Sequence, residues 1–497
     1  MKSDDYEKIA QARKAFATGK TKIVSFRKNQ LRQLAKFLKE NESALCDAIM
    51  QDLRRSKMET VLAEIVMTNN AIVNALENID EWCKDEHQPK ALLTLFSNVY
   101  VRKEPFGVCL VIASWNYPIA LLLIPVISAI AAGNCVIIKP SECSAKVADL
   151  LLNLLPKYID NECYPVVVTD SVHSAQLVEN NRFDFIFFTG GTAIGRLIMK
   201  CAAEYLTPVV LELGGKNPCF VDKSCDIKTA ARRICWGKFL NNGQNCLSTD
   251  YVLCEAEIHD EFIQNVKTVI DDFYGPDAQK SPDFGRIIND RQMSRLVKLL
   301  KSNDGKIVHG GKYDEKDKYI SPTVVTHVTL DSAYMQQEMF GPILLIMSVA
   351  NIDEAIETIN KLEKPLAVYA FSNNKQSIDK LLFSTSSGGV CINDVLMHYS
   401  LESLPFGGIG NSGIGNYHGK FGFDAFTHKR AVLDDGTPEA LLRVRYAPYS
   451  DFKLFKSKML IKKNEKSTGI FGMVKSFFWM SVLGVILAYG LHLFFGV

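Results

Sequence analysis

No two of the 13 cysteines stand at the C-x-x-C spacing that a zinc ribbon or a redox loop requires. A structural metal and a dithiol switch are therefore not expected, and no metal is assigned. An apolar leader is also missing, because residues 1–16, MKSDDYEKIAQARKAF, carry a charge every few positions. The thiols are then expected in the reducing cytosol, where a catalytic thiol stays reduced. Charge of one sign is lacking too: 57 basic against 55 acidic residues leave a net charge of +2. With no basic stripe in the folded part, nucleic acid is not an expected partner. There is no internal repeat, and no G-x-G-x-x-G fingerprint follows any candidate strand. What remains is ordinary folded composition, 47% hydrophobic and 23% charged over 497 residues. Such a chain buries a large core and divides into about two to four domains.

Two stretches are apolar enough to test against a membrane. Residues 119–138, IALLLIPVISAIAAGNCVII, contain Pro125 and are broken by Gly133-Asn134. A buried helix capped at Gly133 and followed by a short strand fits them better than a span. Residues 477–497, FFWMSVLGVILAYGLHLFFGV, hold no Lys, Arg, Asp or Glu. At 1.5 Å per residue they suffice to cross roughly 30 Å of hydrocarbon. Phe477, Phe478 and Trp479 stand where an interfacial aromatic belt belongs, and seven lysines lie between 453 and 475. That flank puts the large soluble part on the cytosolic side. Residues 450–466, SDFKLFKSKMLIKKNEK, space Phe452, Phe455 and Met459 among lysines, as in a basic amphipathic helix on a bilayer surface. The alternative is a solvated charged linker.

The first 80 or so residues have helical periodicity. Beyond residue 100 short β-rich runs alternate with helices: CVIIKP, PVVVT, FDFIFFTG and TPVVLELGG are strand candidates. Between them SAKVADLLLNLLPKY, starting from a Ser cap, SAQLVEN and GTAIGRLIMKCAAEY are helix candidates. This alternation predicts parallel βαβ units in a doubly wound sheet. A second α/β set follows from about 217 to 400, and the tail RAVLDDG returns to β character, fit to pair with the Tyr100 region.

Ligands of such a sheet bind at the carboxyl ends of its strands. FDFIFF runs into Thr189-Gly190-Gly191-Thr192-Ala193-Ile194-Gly195, a turn whose amides could approach a pyrophosphate at a helix start; a tight turn without a ligand explains it equally. CVIIKP ends in Lys139-Pro140-Ser141-Glu142. A carboxylate there accepts from a ribose 2′-OH and repels a 2′-phosphate, which favours NAD over NADP; a solvated Lys–Glu turn is the alternative. Cys246 follows Asn242-Gly243-Gln244-Asn245, a turn that could expose a thiol, although most cysteines are small buried hydrophobes. Glu212 sits between Leu211 and Leu213. Burial there would raise its pKa and make it a general base, unless it simply pairs with Lys216. Asn116, in SWNYP, could donate to an oxyanion or cap the apolar helix that follows.

Taken together and in order, SWNYP, KPSE, FTGGTAIG, LELGGKNP, NNGQNC, QEMFGP and PFGGIGNSG resemble the aldehyde dehydrogenase superfamily over essentially the whole soluble chain. The tail PFGGIGNSGIGNYHGKFGFDAFTHKR followed by a C-terminal apolar segment is most similar to the class 3 branch and its membrane-bound fatty aldehyde dehydrogenases. The resemblance implies Cys246 as nucleophile, Glu212 as the base that activates water, and Asn116 with the Cys246 amide as oxyanion hole. It implies Lys139 and Glu142 at the adenosine ribose and Gly190, Gly191 and Gly195 by the pyrophosphate. Glu338 would bind the nicotinamide ribose, and Phe340 would pack by the nicotinamide. Gly191 departs from the family's common Ser, which leaves that phosphate contact to the backbone. Asn245 stands at a variable position and is expected only to shape the pocket wall.

The expected fold class is α/β. A Rossmann-like, doubly wound NAD-binding domain spans 1–210, with a bridging strand near 95–107, and a catalytic domain spans 211–415. A small β oligomerisation element at 416–447, a basic amphipathic segment at 448–470 and a transmembrane helix at 477–497 complete the expectation. The expected activity is NAD-dependent oxidation of long-chain aliphatic aldehydes to acids; NADP is the less favoured cofactor. A membrane-held site gains most with long aldehydes, since each buried CH₂ contributes roughly 0.8 kcal/mol. The expected partners are such an aldehyde, a lipid bilayer and a second copy in a homodimer. The expected membrane is the endoplasmic reticulum, with the peroxisome as the alternative. Two rival readings are a CoA-acylating enzyme, which Glu212 argues against, and a non-catalytic tail-anchored scaffold, which the retention of Cys246, Glu212 and Asn116 argues against.

Overall fold

The structure is a computed structural model that describes residues 3–91, 94–302, 304–461 and 481. The chain divides into two compact units. One comprises Met1–Lys84 with Lys103–Lys429, the other Asp85–Arg102 with Arg430–Val497.

The larger unit holds two parallel sheets. The first orders its strands as Gly413–Ile414, Val209–Glu212, Phe185–Thr189, Val108–Ile112 and Cys135–Lys139. The last four run parallel, and Gly413–Ile414 closes one edge antiparallel. The chain leaves Val108–Ile112 toward one edge and returns to its other side at Phe185–Thr189, the order reversal that opens a crevice at carboxyl ends. The second sheet has seven strands, in the order Gly389–Ile392, Ala367–Phe371, Pro218–Val221, Tyr251–Glu255, Ile343–Val349, Thr323–Thr326 and Lys306–His309. Only Lys306–His309 is antiparallel. Strands buried on both faces need no polar alternation, and Val108–Ile112, Cys135–Lys139 and Phe185–Thr189 are buried at every position.

Residues 119–138 form the buried helix Ala120–Ala132, ended by Gly133 at φ +92°, and then the strand Cys135–Lys139. Every side chain of that helix is buried, which accounts for its membrane-like composition. Two local expectations change. PVVVT does not form a strand: only Val166 bridges to Ile138, because Pro165 has no N–H to extend a ladder. Ser144 does not cap the helix Ala145–Leu154; its hydroxyl donates to Ser141 O at 3.3 Å. Asp52 caps it instead, accepting from the amides of Lys146 and Val147 at 3.1 Å each. A carboxylate outbids a hydroxyl at a helix N-terminus because it also meets the positive end of the dipole.

The smaller unit is built around a three-stranded sheet in the order Glu86–His87, Asn98–Pro105 and Thr427–Asp434, so the tail does lie beside the Tyr100 region. The helix Asp451–Ile461 follows. Its Phe452, Leu454, Phe455, Met459 and Ile461 are all exposed. Phe452, Phe455 and Met459 fall within about 60° of one another, as expected, while Leu454 adds an apolar side chain about 200° around the helix from Phe452. Among the described residues no helix is long and apolar enough to cross a membrane. The expected span at 477–497 lies, apart from Ser481, outside the described residues.

Candidate active site

The carboxyl ends of the five-stranded sheet meet the amino ends of the seven-stranded one. Asn116 follows Val108–Ile112, Glu212 ends its strand, and Lys139 ends the strand Cys135–Lys139. From the other side come Asn217 just before Pro218–Val221, Cys246 before Tyr251–Glu255, and Glu338 with Phe340 before Ile343–Val349. A site split between two sheets is why its members are scattered along the sequence.

Cys246 is presented by a tight turn after the helix Ile227–Phe239. Asn241, Asn242 and Gly243 take φ +49°, +59° and +71° in succession. At Gly243 a side chain would also run into the carbonyl of Gly341, so only glycine serves there. Gln244 anchors the turn, donating to Arg286 O at 2.9 Å and accepting from the Ile288 amide at 3.0 Å. Asn217 donates to Cys246 O at 2.7 Å and to Ser248 O at 3.1 Å, and accepts from the Ala367 amide at 2.9 Å. It thereby ties the nucleophile's backbone to two strands. Asn245 does more than shape a wall: its Oδ1 accepts from the Leu247 amide at 2.9 Å and lies 3.9 Å from Cys246 Sγ, so it orients the thiol hydrogen.

Half-buried Cys246 has its thiol pushed up by burial, and the Glu338 and Glu212 carboxyls push in the same direction. Backbone amides at Cys246 and Leu247 oppose them. Glu212 is 3% exposed, and neither of its carboxyl oxygens has a hydrogen-bond partner among the described residues. Burial alone drives its pKa well above the ordinary carboxylate range. The alternative pairing with Lys216 does not form, since that ammonium donates to Tyr334 O at 2.9 Å and Gln337 O at 3.0 Å and sits 3.4 Å from Asp250. Asn116 is buried, and its Nδ2 donates to Gln244 O at 3.0 Å. That uses one of its two amide hydrogens and leaves the other free to donate.

Glu338 packs against Gly214, where any side chain would collide with its carboxyl. Burial pushes Glu338 up to about 8, with the Asp250 carboxylate adding, and its Oε1 is an orphaned acceptor. Arg295 holds the same loop through Glu338 O at 3.2 Å and Met339 O at 2.6 Å. Phe340, at φ +45°, sets its ring edge-on to Trp115 at 5.3 Å, next to Asn116.

The residues expected to hold a dinucleotide fit one. Lys139 and Glu142 pair at 2.9 Å at a strand end. Beside Glu142 lies a cavity of about 240 Å³ lined also by Asp5, Ala148, Asp149, Thr169 and Asp170, an acidic surround that suits hydroxyl donors of a ribose better than a phosphate. Gly191 starts the helix Thr192–Ala203, whose first amides have no intrahelical acceptor. The Gly190 amide donates to Glu212 O at 3.0 Å and the Gly195 amide to Gly191 O at 3.0 Å. Their bare Cα atoms make room for Phe188 and Leu213, so these two glycines also shape the turn.

Asn217, Gln244, Asn241 and the charges of residues 55–64 carry no local sign of their task. Asn217 stands within LELGGKNP, yet nothing in that string points 29 residues ahead to Cys246.

The aldehyde dehydrogenase family model matches residues 2–432. Human "aldehyde dehydrogenase family 3 member B1" is 48% identical over 447 residues, 90% of this chain and 95% of that one. Mouse "aldehyde dehydrogenase, dimeric NADP-preferring" is 45% identical over 425 residues, 86% of this chain and 93% of that one. Among solved structures, the substrate-bound state of Staphylococcus aureus AldH superposes with a TM-score of 0.88 at 40% identity, covering 92% of this chain and all of that one.

Proposed function

Since the chain belongs to the aldehyde dehydrogenase family, we propose that it oxidises long-chain aliphatic aldehydes to fatty acids with NAD, through a thioester on Cys246. The observation that carries the mechanism is the Glu212 carboxyl, buried without a partner beside a thiol that Asn245 orients.

Cys246, having lost its thiol proton to solvent, adds as the thiolate to the aldehyde carbon, forming a C–S bond and an oxyanion. The free Asn116 amide hydrogen and the Cys246 amide stabilise that charge. A bound nicotinamide dinucleotide would supply the acceptor for the hydride that leaves the former carbonyl carbon. Lys139, Glu142, Gly191 and Glu338 would hold it, with Phe340 beside the reactive ring. Glu212 then takes a proton from water, the resulting hydroxide attacks the thioester, and the C–S bond breaks as Glu212 returns that proton to the leaving sulfur, giving the acid and the thiol. A carboxylate without hydrogen bonds is a stronger base than a solvated one, which favours water as acceptor over transfer to CoA.

The chain-length reading rests on the apolar segment 477–497, taken as a tail anchor in the endoplasmic reticulum membrane with the catalytic unit in the cytosol. It rests also on the helix Asp451–Ile461, whose exposed apolar side chains alternate with Lys453, Lys456 and Lys458. A homodimer is the proposed assembly, in line with the relative described as dimeric. The test is NADH production across aldehydes of increasing length. The expected result is a kcat/KM that climbs with each CH₂ and activity abolished by Cys246→Ala. A flat length series would remove the substrate reading, and activity surviving Cys246→Ala would remove the mechanism.

A further inference from the structure

Asn116 and Cys246 reach the site from different sheets, so their two oxyanion donors are only as well aligned as whatever joins them. Three buried or half-buried charges in residues 55–64 touch both. Arg55 and Glu64, 1% and 0% exposed, pair directly. Arg55 Nη1 donates to the carbonyl of Asn116 at 2.8 Å, and its guanidinium lies 4.9 Å from the Tyr117 ring. Glu64 Oε2 accepts from the amides of Ile119 at 2.6 Å and Ala120 at 3.1 Å, where the apolar helix begins. The pair thus grips the SWNYP loop on both sides of Asn116.

Glu59 reaches the other half. Its Oε2 accepts from the Asn241 amide at 3.0 Å, at the head of the nucleophile turn. Asn241 Nδ2 in turn donates to Asn116 O at 2.9 Å and Gln244 O at 3.1 Å. On a regular α-helix Glu59 and Glu64 would stand about 140° apart. The chain widens to a π-helix over Val61–Val66, which narrows that angle and lets both carboxyls face inward.

We propose that Arg55, Glu59 and Glu64 are positioning residues that clamp the Asn116 loop to the Cys246 turn, so that the two oxyanion donors converge on one point. The inference rests on the reading of Asn116 as an oxyanion donor. None of the three touches the reacting atoms; they act through the backbones of Asn116 and Asn241.

The experiment is a mutant cycle on the full chain, read as kcat and aldehyde KM for NADH formation, with the unfolding midpoint of each variant. Asn116→Ala calibrates it, with an expected kcat loss of about 100-fold. Arg55→Lys keeps the charge facing Glu64 but loses the planar fork. It is expected to lower kcat about tenfold at unchanged KM, the pattern of an interaction made only in the transition state. In the Asn116→Ala background the same change is expected to cost less than about twofold, because no side-chain amide remains to be aimed. Glu59→Leu should behave as Arg55→Lys does, and Glu59→Gln, which still offers an acceptor, should recover most of the rate. If Arg55→Lys does not fold, the Glu59 variants carry the same cycle. Full additivity in the Asn116→Ala background, or unaltered kcat in Arg55→Lys and Glu59→Leu, overturns the clamp. Unaltered kcat in Asn116→Ala itself overturns the oxyanion reading and the clamp with it.

Discussion

At Glu212 a carboxyl is kept out of water with no hydrogen bond among the described residues to offset the transfer, a cost that the proposed base role would account for. The folded pKa lies above the unfolded one, so the folded state holds a proton that the unfolded chain releases above the ordinary carboxylate range. Stability is therefore full at low pH and falls as pH rises through the folded value. Glu212→Gln should raise the unfolding midpoint at pH 8 by at least about 2 °C more than at pH 5; equal shifts at both pH values would mean that the carboxyl is solvated. The same deprotonation governs rate, in the opposite direction. Thioester hydrolysis should climb with pH as Glu212 loses its proton, and Glu212→Gln should flatten that limb while leaving a single-turnover burst of NADH. Glu142 belongs to this scale as well. Half-exposed beside Lys139, its charge opposes a 2′-phosphate by roughly 1 kcal/mol under water-like screening. Glu142→Gln should lower the KM for NADP about fivefold relative to NAD; an unchanged ratio would place the discrimination elsewhere.

Strand–turn–helix units hold the proposed cofactor site, and within one such turn the three glycines differ. A side chain at Gly195 would come within 2.6 Å of Leu213, whereas at Gly191 it would meet nothing within 4 Å. Gly195→Ala should therefore lower the unfolding midpoint, through about 1–3 kcal/mol of overpacking, and raise the KM for NAD. Gly191→Ser should leave the midpoint in place. A pair of thermal melts separates the two, and equal losses would refute the packing argument. The turn at 241–243 is the other such element: three successive left-handed residues give Cys246 its place, and the two asparagines tolerate that backbone better than most residues.

For the whole molecule, the expected division of labour is a catalytic unit in the cytosol and a C-terminal segment on or in a bilayer. Its helix Asp451–Ile461 exposes apolar side chains on more than one side, which suits partial immersion better than lying on the surface by one stripe. The full chain should co-sediment with vesicles of zwitterionic lipid, and a chain ending at residue 450 should not. It should keep its activity on short aldehydes and lose most of its advantage with long ones. Retention of both vesicle binding and length preference after truncation would move the membrane function into the catalytic unit.

The sequence by itself determined the α/β alternation and the buried helix and strand within 119–138, because each depends on short-range pattern, and its ordered motif strings pointed to the family and to the residues proposed to carry the chemistry. It named Cys246, Glu212, Asn116 and Glu338 while leaving the nearby structure-bearing residues anonymous. Only the tertiary structure decided that PVVVT is a bridge, that Asp52 rather than Ser144 caps a helix, and that Gly190 and Gly195 make room for side chains. It also decided that Glu212 has no partner and that Arg55, Glu59 and Asn217 brace a site tens to hundreds of residues away. The reason is one of range. Periodicity and turn chemistry act over a few residues, while burial, hydrogen-bond satisfaction and pKa depend on which distant segments the two sheets bring face to face.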